Sequence, residues 1–319
     1  MRADLIRELI VGDNPMDPVF HVLSEEIWSA GSFAAHSSAR TLDDYLTQNE
    51  HGASAFEREL WEVYADLYRR IEEPRVPEER VAQVLSLPAF TLVVFDGLSL
   101  REAPVVVEAV TDAGQEAATS YVIAPVPSET AEFARRNFNA SGPSQIEATP
   151  RDFAYRYVKR EDWVPDFAAD ELKRVIWVLY PDNIFNLDSQ AVNYGQHIVQ
   201  PVRRVLGAIL QSEPVLPLIV TGDHGYLWQG GSTAWAVGDE EARLLARHFK
   251  AGRSTDAATA ELVHSDKVWL SGTRATARGR FAWGHAVRGA PRLFKHGGVS
   301  LMEGLVPWVS VSRGDGDAR

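Results

Sequence analysis

The chain of 319 residues has no cysteine and only 3 methionines. It also lacks any apolar run approaching the ~20 residues that a bilayer crossing needs. Without cysteine there are no disulfides, no thiolate nucleophile and no cysteine-ligated zinc, so a metal would have to be held by oxygen and imidazole. The absence is compatible with a reducing compartment, and the expected location is cytoplasmic. Positive charge is scarce as well: 32 Lys+Arg stand against 44 Asp+Glu, a formal net charge of −12. That excludes a protein whose main task is to coat nucleic acid by neutralising phosphates. An enzyme acting on phosphate esters is not excluded, because carboxylates gathered to hold cations count as negative in a sequence sum, and two divalent ions would return about +4. The opening stretch from Met1 to Ile10 alternates charge with hydrophobe and has no continuous apolar core, so it reads as a helix and not a signal peptide. With 45% hydrophobic and 24% charged residues, the composition fits one large globular domain, or a large one with a smaller one.

Up to about Leu87 the pattern is helical. Phe56, Leu60, Val63, Tyr64, Leu67, Tyr68 and Ile71 recur at helical spacing and predict an amphipathic stripe. Asn49-Glu50-His51-Gly52 reads as a loop, and His21, His36 and His51 as surface or capping residues. Residues 1–87 are thus expected to form a helical extension, 88–312 the main domain and 313–319 a mobile tail. In the main domain strand, polar turn and helix alternate. Phe90 to Phe95, Thr119 to Ile123, Val175 to Tyr180 and Val215 to Val220 are β-type runs, and helices are expected to Ala113, to Phe138 and from about Leu187 to Gln211 with a bend at Pro201. A polar connection separates the second run from the third. Trp228 to Val237 reads as a loop, Glu240 to Lys250 as a helix, Lys267 to Leu270 as a short strand and Leu305 to Val311 as the last strand. This alternation predicts a mainly parallel central sheet covered on both faces, a three-layer α/β/α fold.

Four strands end in groups with chemistry: Asp96 after the first, Thr130 after the second, Asp182 after the third, and Asp223-His224 in Thr221-Gly222-Asp223-His224-Gly225 after the fourth. His296, in a glycine-rich turn, is a fifth candidate. Parallel topology brings such strand ends to one sheet edge, where ligand sites of α/β folds lie. Carboxylates and imidazoles converging there suit Zn²⁺ first, with Mn²⁺ or Mg²⁺ as alternatives.

Asp96-Gly97-Leu98-Ser99, Pro127-Ser128-Glu129-Thr130, Thr221-Gly222-Asp223-His224-Gly225 and His296-Gly297-Gly298-Val299-Ser300-Leu301-Met302-Glu303 resemble, in this order, the motifs of the PglZ domain, a branch of the alkaline phosphatase superfamily. The resemblance covers roughly residues 90–311. It implies an alkaline phosphatase-like fold and two divalent metals, one held by Asp96, Asp223, His224 and the hydroxyl of the nucleophile Thr130, the other by Asp182 and His296. It also implies a bacterial or archaeal setting and an association with phage-exclusion systems. Ser128 is the rival nucleophile or the N-cap of the following helix. Arg101 is a phosphate ligand or a solvated surface residue.

The chain departs from that pattern at the second metal. Where relatives carry a His a turn after the Asp, this sequence has Asn186; Asp188 is the substitute ligand or a helix cap, and His197 reads as a helix residue. The leading expectation is a metal-dependent phosphodiesterase, its substrate a phosphate ester that includes nucleotides or nucleic acid as candidates. Phosphomonoester hydrolysis or phosphoryl transfer would use the same site, under a cover for which Trp228, Trp235, Trp283 and Arg280 are candidates, with core packing the alternative for each tryptophan. A third expectation, of another class, is a catalytically weak module binding a protein partner through its N-terminal helices, with no membrane association. Against it stands the self-repulsion of convergent carboxylates without a cation.

Overall fold

The computed structural model describes residues 3–36, 42–63, 66–73, 79–185, 193–230, 232–250, 252–283 and 294–313. Asn186, Asp188, Tyr64 and the expected mobile tail from 314 lie outside them. The organising strand is β1 (Phe90–Phe95), whose six side chains are all buried. Its β-branched and aromatic run is what a strand covered on both faces requires. In one sheet it is joined by β2 (Gln115–Ile123), β3 (Ala154–Val158), β4 (Lys173–Val178) and β5 (Leu218–Gly222). Seven short strands follow: β6 (Leu227–Trp228), β7 (Trp235–Ala236), β8 (Ser254–Thr255), β9 (Val268–Ser271), β10 (Arg274–Ala277), β11 (Phe281–Ala282) and β12 (Phe294–Lys295). The closing strand β13 (Leu305–Arg313) returns to the main sheet, giving the order β2-β13-β5-β1-β4-β3. β5, β1, β4 and β3 are mutually parallel, and β13 runs antiparallel to both β5 and β2. The expected three-layer α/β/α architecture with a mainly parallel sheet is therefore the fold.

Period-two alternation divides the sheet residues between two cores. Val93, Phe95, Ile176, Val178, Leu218 and Val220 share one with the helices Ala103–Asp112 and Gln200–Gln211. Phe90, Leu92, Val94, Val175, Trp177 and Ile219 share the other with Phe133, Ala134 and Phe138 of the helix Thr130–Phe138. Truncating Phe95 or Trp177 to alanine would cost about 3–5 kcal/mol, the usual figure for a large aromatic in a closed core. A third, separate core gathers Leu245 and Phe249 of the helix Asp239–Phe249 with Leu262, Val268, Ala277 and Trp283, under the three-stranded sheet β8-β10-β9.

The N-terminal helices do not stand apart. Leu60, Leu67, Tyr68 and Ile71 are buried in the same cluster as Val93 and Phe95, so most of the expected stripe faces the chain's own sheet and not a partner. Val63 is the exception, at 64% exposed; Ile10 and Val11 are the other strongly exposed apolar side chains of this segment. Asn49-Glu50-His51-Gly52 is not a loop: it lies inside the helix Leu42–Val63. A glycine there costs about 1 kcal/mol of helix propensity, yet the helix continues through it, with Glu50 and Glu57 buried against Arg101 and Arg280. The polar connection before β4 conceals a strand, β3, whose Ala-Tyr-Arg-Tyr-Val run extends the sheet edge. The segment Trp228 to Val237, expected as loop, contributes β7 and the end of β6. Before Pro201 the chain runs through a π-helical turn, Gly195–Val199, into the helix Gln200–Gln211. Among the described residues no helix is long and apolar enough to cross a membrane.

Candidate metal centre

The parallel register decides what meets at the carboxyl edge. Phe95 pairs with Val178 of β4 and with Gly222 of β5, so Asp96 and Asp223 leave neighbouring strands side by side. Asp182 follows β4, its N–H donating to the Asp96 carbonyl at 2.9 Å. Gly97, at φ +80°, turns the chain beneath them, and its N–H donates to Asp223 Oδ1 at 2.9 Å. The His224 N–H donates to the same oxygen at 2.9 Å. Gly222 and Gly225 allow the neighbouring backbone in: a Cβ at Gly222 would stand 2.2 Å from the Leu98 carbonyl, and one at Gly225 2.1 Å from that of Met302.

Thr130 opens the helix Thr130–Phe138 and brings its Oγ1 to 3.0 Å from Asp96 Oδ1 and 3.2 Å from His224 Nε2. His224 Nδ1 lies 3.0 Å from the Gly225 carbonyl, which can only accept, so Nδ1 carries the proton and Nε2 presents its lone pair to the site. His296 follows the same rule. Its Nδ1 faces the Ser128 carbonyl at 3.3 Å, and its Nε2 lies 3.3 Å from Asp182 Oδ1. The two imidazoles stack, centroids 4.4 Å apart.

Two groups of side chains thus converge, Asp96 with Asp223 and His224, and Asp182 with His224 and His296; within each, the ligand atoms lie within 4.8 Å of one another. Asp96, Asp223 and His224 are buried, while Thr130 and His296 are partly open to solvent. Asp223 Oδ2 and Asp182 Oδ1 are buried without a hydrogen-bond partner. An orphaned buried carboxylate oxygen costs free energy, and here each points among other lone pairs, which a cation would satisfy. The electrostatics carry the same imprint. Burial, and then the carboxylates of Asp223 and Asp182, holds Asp96 well above the usual carboxylate range. Burial pushes Asp223 up to about 6. His224 is pushed down to about 3, by burial first and then by His296. The donor set of carboxylate oxygen, hydroxyl and imidazole fits Zn²⁺, Mn²⁺ or Mg²⁺.

Other expectations meet different outcomes. Ser128 is not the N-cap, which is Glu129 in extended backbone. Nor is its hydroxyl free: buried, it donates to the Gly298 carbonyl at 2.9 Å and accepts from the Gly297 N–H at 3.0 Å. Arg101 is neither a surface residue nor a phosphate ligand. It is fully buried, bidentate to Glu50 with both contacts at 2.7 Å, and donates to the Tyr226 carbonyl at 2.7 Å. Ser99 caps its own turn in a reciprocal arrangement with Glu102. His197 sits in the π-helical turn, where Nδ1 accepts from the Asn193 N–H at 2.9 Å, apart from the cluster. Trp235, Trp283 and Arg280 are core residues and form no cover.

Neither Tyr157 nor the contacts of Glu303 can be read from local sequence pattern. Tyr157, on the strand hidden in the polar connection, has its phenol held up by burial and then by Asp96, with Asp182 and Asp223 adding to the effect. Glu303 lies inside a quoted motif, but no spacing rule reveals what it binds.

No protein-family model matches the chain, and no curated protein sequence matches it. Solved structures similar to it include phosphonoacetate hydrolase from Sinorhizobium meliloti 1021 in complex with phosphonoacetate, at 12% identity and a TM-score of 0.40 over 73% of this chain and 91% of that one. Murine ectonucleotide pyrophosphatase/phosphodiesterase 5, in an inactive form with AMP, is similar at 12% identity and a TM-score of 0.42, over 70% of this chain and 88% of that one.

Proposed function

We propose that the chain is a metal-dependent hydrolase of phosphate esters, with phosphodiesters as its substrate class and Thr130 as nucleophile. One observation carries this: a partly exposed hydroxyl stands on a buried cluster of Asp96, Asp223 and His224 in which a carboxylate oxygen has no partner. Asp96, Asp223, His224 and Thr130 would hold one divalent ion, Zn²⁺ first and Mn²⁺ or Mg²⁺ as alternatives, and Asp182 with His296 a second. When bound, such ions supply Lewis-acid neutralisation of phosphoryl oxygens and lower the pKa of a bound hydroxyl.

The protein's own part follows from its geometry. Thr130 Oγ1 forms a bond to phosphorus as the bond to the leaving oxygen breaks, and its proton passes to water on the open side of the site, because Asp96 Oδ1 and His224 Nε2, 3.0 and 3.2 Å away, would be engaged by the ion. Water then attacks the phosphothreonine, the Oγ1–P bond breaks and Oγ1 regains a proton. Thr130 is also the first residue of its helix, so the free N–H groups of that turn face the anion. The Nδ1–H bond from His224 to Gly225 holds the imidazole in the tautomer that leaves Nε2 available. On the ordered PglZ-like motifs, the reading extends to a role in phage exclusion, which plaque assays with wild type and Thr130→Ala would test.

The deciding experiment is hydrolysis of bis(p-nitrophenyl) phosphate by chelator-stripped protein resupplied with Zn²⁺, Mn²⁺ or Mg²⁺, beside Thr130→Ala. Metal-dependent turnover that the variant lacks is expected. Absence of turnover with every metal in a folded, metal-loaded sample would overturn the reading.

A further inference from the structure

The turn Leu301–Gly304 lies between the two histidine loops and touches both. On one side the Glu303 carbonyl accepts the N–H of Gly225, next to His224, at 3.0 Å. On the other, Glu303 Oε1 accepts the N–H of Gly298, two residues from His296, at 2.8 Å. The same oxygen takes Arg253 Nε at 2.8 Å, in a pair whose side chains are both fully buried. The remaining guanidinium donors of Arg253 go to the carbonyls of Ala277, Gly279 and Phe281, so Glu303 is its only carboxylate partner among these contacts. Steric limits mark the fit: a Cβ at Gly298 would stand 2.4 Å from Arg253 Nε. From the N-terminal side, Glu57 Oε1 accepts the Leu301 N–H at 2.8 Å and fixes the start of the turn.

A single residue therefore touches both imidazole-bearing loops, through its backbone carbonyl on the His224 side and its carboxylate on the His296 side, while Arg253 ties that carboxylate to the separately packed sheet β8-β10-β9. We infer that Glu303, held by Arg253, is a positioning residue that sets His224 and His296 at the separation needed to bind two cations at once. The inference rests on the metal-centre reading above. Outer groups that orient ligands are usually worth about 10–100-fold in metal affinity, and that is the effect expected here.

The test is titration of chelator-stripped wild type, Glu303→Gln and Arg253→Lys with Co²⁺, following the visible spectrum and the stoichiometry, with thermal unfolding of each metal-free protein alongside. Glu303→Gln keeps an acceptor for Gly298 but loses the charge that holds Arg253. It should bind its second equivalent about 10–100-fold more weakly than wild type, with an altered spectrum, at a metal-free unfolding temperature that does not account for the loss. Arg253→Lys keeps a cation opposite Glu303 but loses the guanidinium's fork, and should weaken the second equivalent by less than about tenfold. If Glu303→Gln fails to fold, Arg253→Lys carries the test, and it must then show weakened second-equivalent binding smaller than tenfold. Unaltered two-step binding in a folded variant, or a uniform weakening that follows the unfolding temperature, overturns the inference. A wild type that binds no Co²⁺ overturns the metal-centre reading itself, so the two failures are distinguishable.

Discussion

Two groups of largely buried ionisable side chains in this protein differ in what faces them. In the first, Glu50 and Glu57 of an N-terminal helix meet Arg101 and Arg280, all four buried. Burial alone would raise Glu50, yet Arg101 and Arg280 outweigh it and leave its carboxyl below the ordinary range. In the second, Asp96, Asp182 and Asp223 meet no arginine or lysine in the contacts described; burial and mutual repulsion push Asp96 up, and burial does the same to Asp223. Chains bury a charge when something compensates it. Glu50 carries its compensation within the sequence, while Glu57, at 3.6 Å from Arg280, is still pushed up by burial; the second group has no such cation and is arranged to receive its compensation from outside.

The difference can be broken deliberately. The largest effect is expected at the group's reactive edge: Thr130→Ala should lower turnover about 10⁴-fold or more while keeping the fold and the capacity for metal, as loss of a nucleophile does in covalent catalysis. Steady-state rates together with metal analysis check it. Next in size is the compensated group. Arg101→Met leaves Glu50 short of its bidentate partner and should destabilise by about 3–5 kcal/mol in chemical denaturation.

The uncompensated group should respond with the opposite sign. Asp223→Asn removes a carboxylate that burial disfavours, so in chelator the variant should be more stable than wild type by about 1–3 kcal/mol at neutral pH, and it should lose the stabilisation that metal gives wild type. A variant destabilised in chelator would remove the distinction between the two regions. The pH dependence sharpens this and is the smallest effect. Asp223 has a folded pKa of about 6, above the unfolded value, so its contribution is fully present below about pH 4 and lost as pH rises through about 6. The advantage of Asp223→Asn should accordingly vanish near pH 4 and reach its full size above about pH 6. Metal affinity of wild type should fall as pH drops through the same window, because protons compete for the ligand oxygen.

Much of the sheet was legible because buried parallel strands announce themselves. Phe90 to Phe95 and the run ending at Val220 are continuous apolar stretches closed by polar, glycine-flanked turns, and both became central strands. Asp96, Asp223 and His224 were visible as strand-end residues for the same reason. β3 was missed because an edge strand is half solvated and reads as Tyr and Arg alternation in polar company. Asn49 to Gly52 has the local propensity of a loop, and it is helical because Glu50 and the apolar face of the helix Leu42–Val63 are buried against partners distant in sequence. Ser128 and Arg101 show the same limit: a hydroxyl before a helix and an arginine early in one have plausible local roles, and tertiary partners overrode them. Asn186 and Asp188, on which the second site's ligand count turns, lie outside the described residues.

The place of β13 has a consequence for how the molecule comes into being. It follows β1 to β5 in sequence by more than 80 residues, Gly222 to Leu305, yet it sits between β2 and β5. The turn that precedes it holds both histidine loops. Until β13 is in place, β2 has neither edge paired and the loop of Asp223 and His224 lacks the turn that holds it. Long-range pairings of this kind form late and slowly. Docking of β13 therefore couples closure of the sheet to assembly of the metal centre.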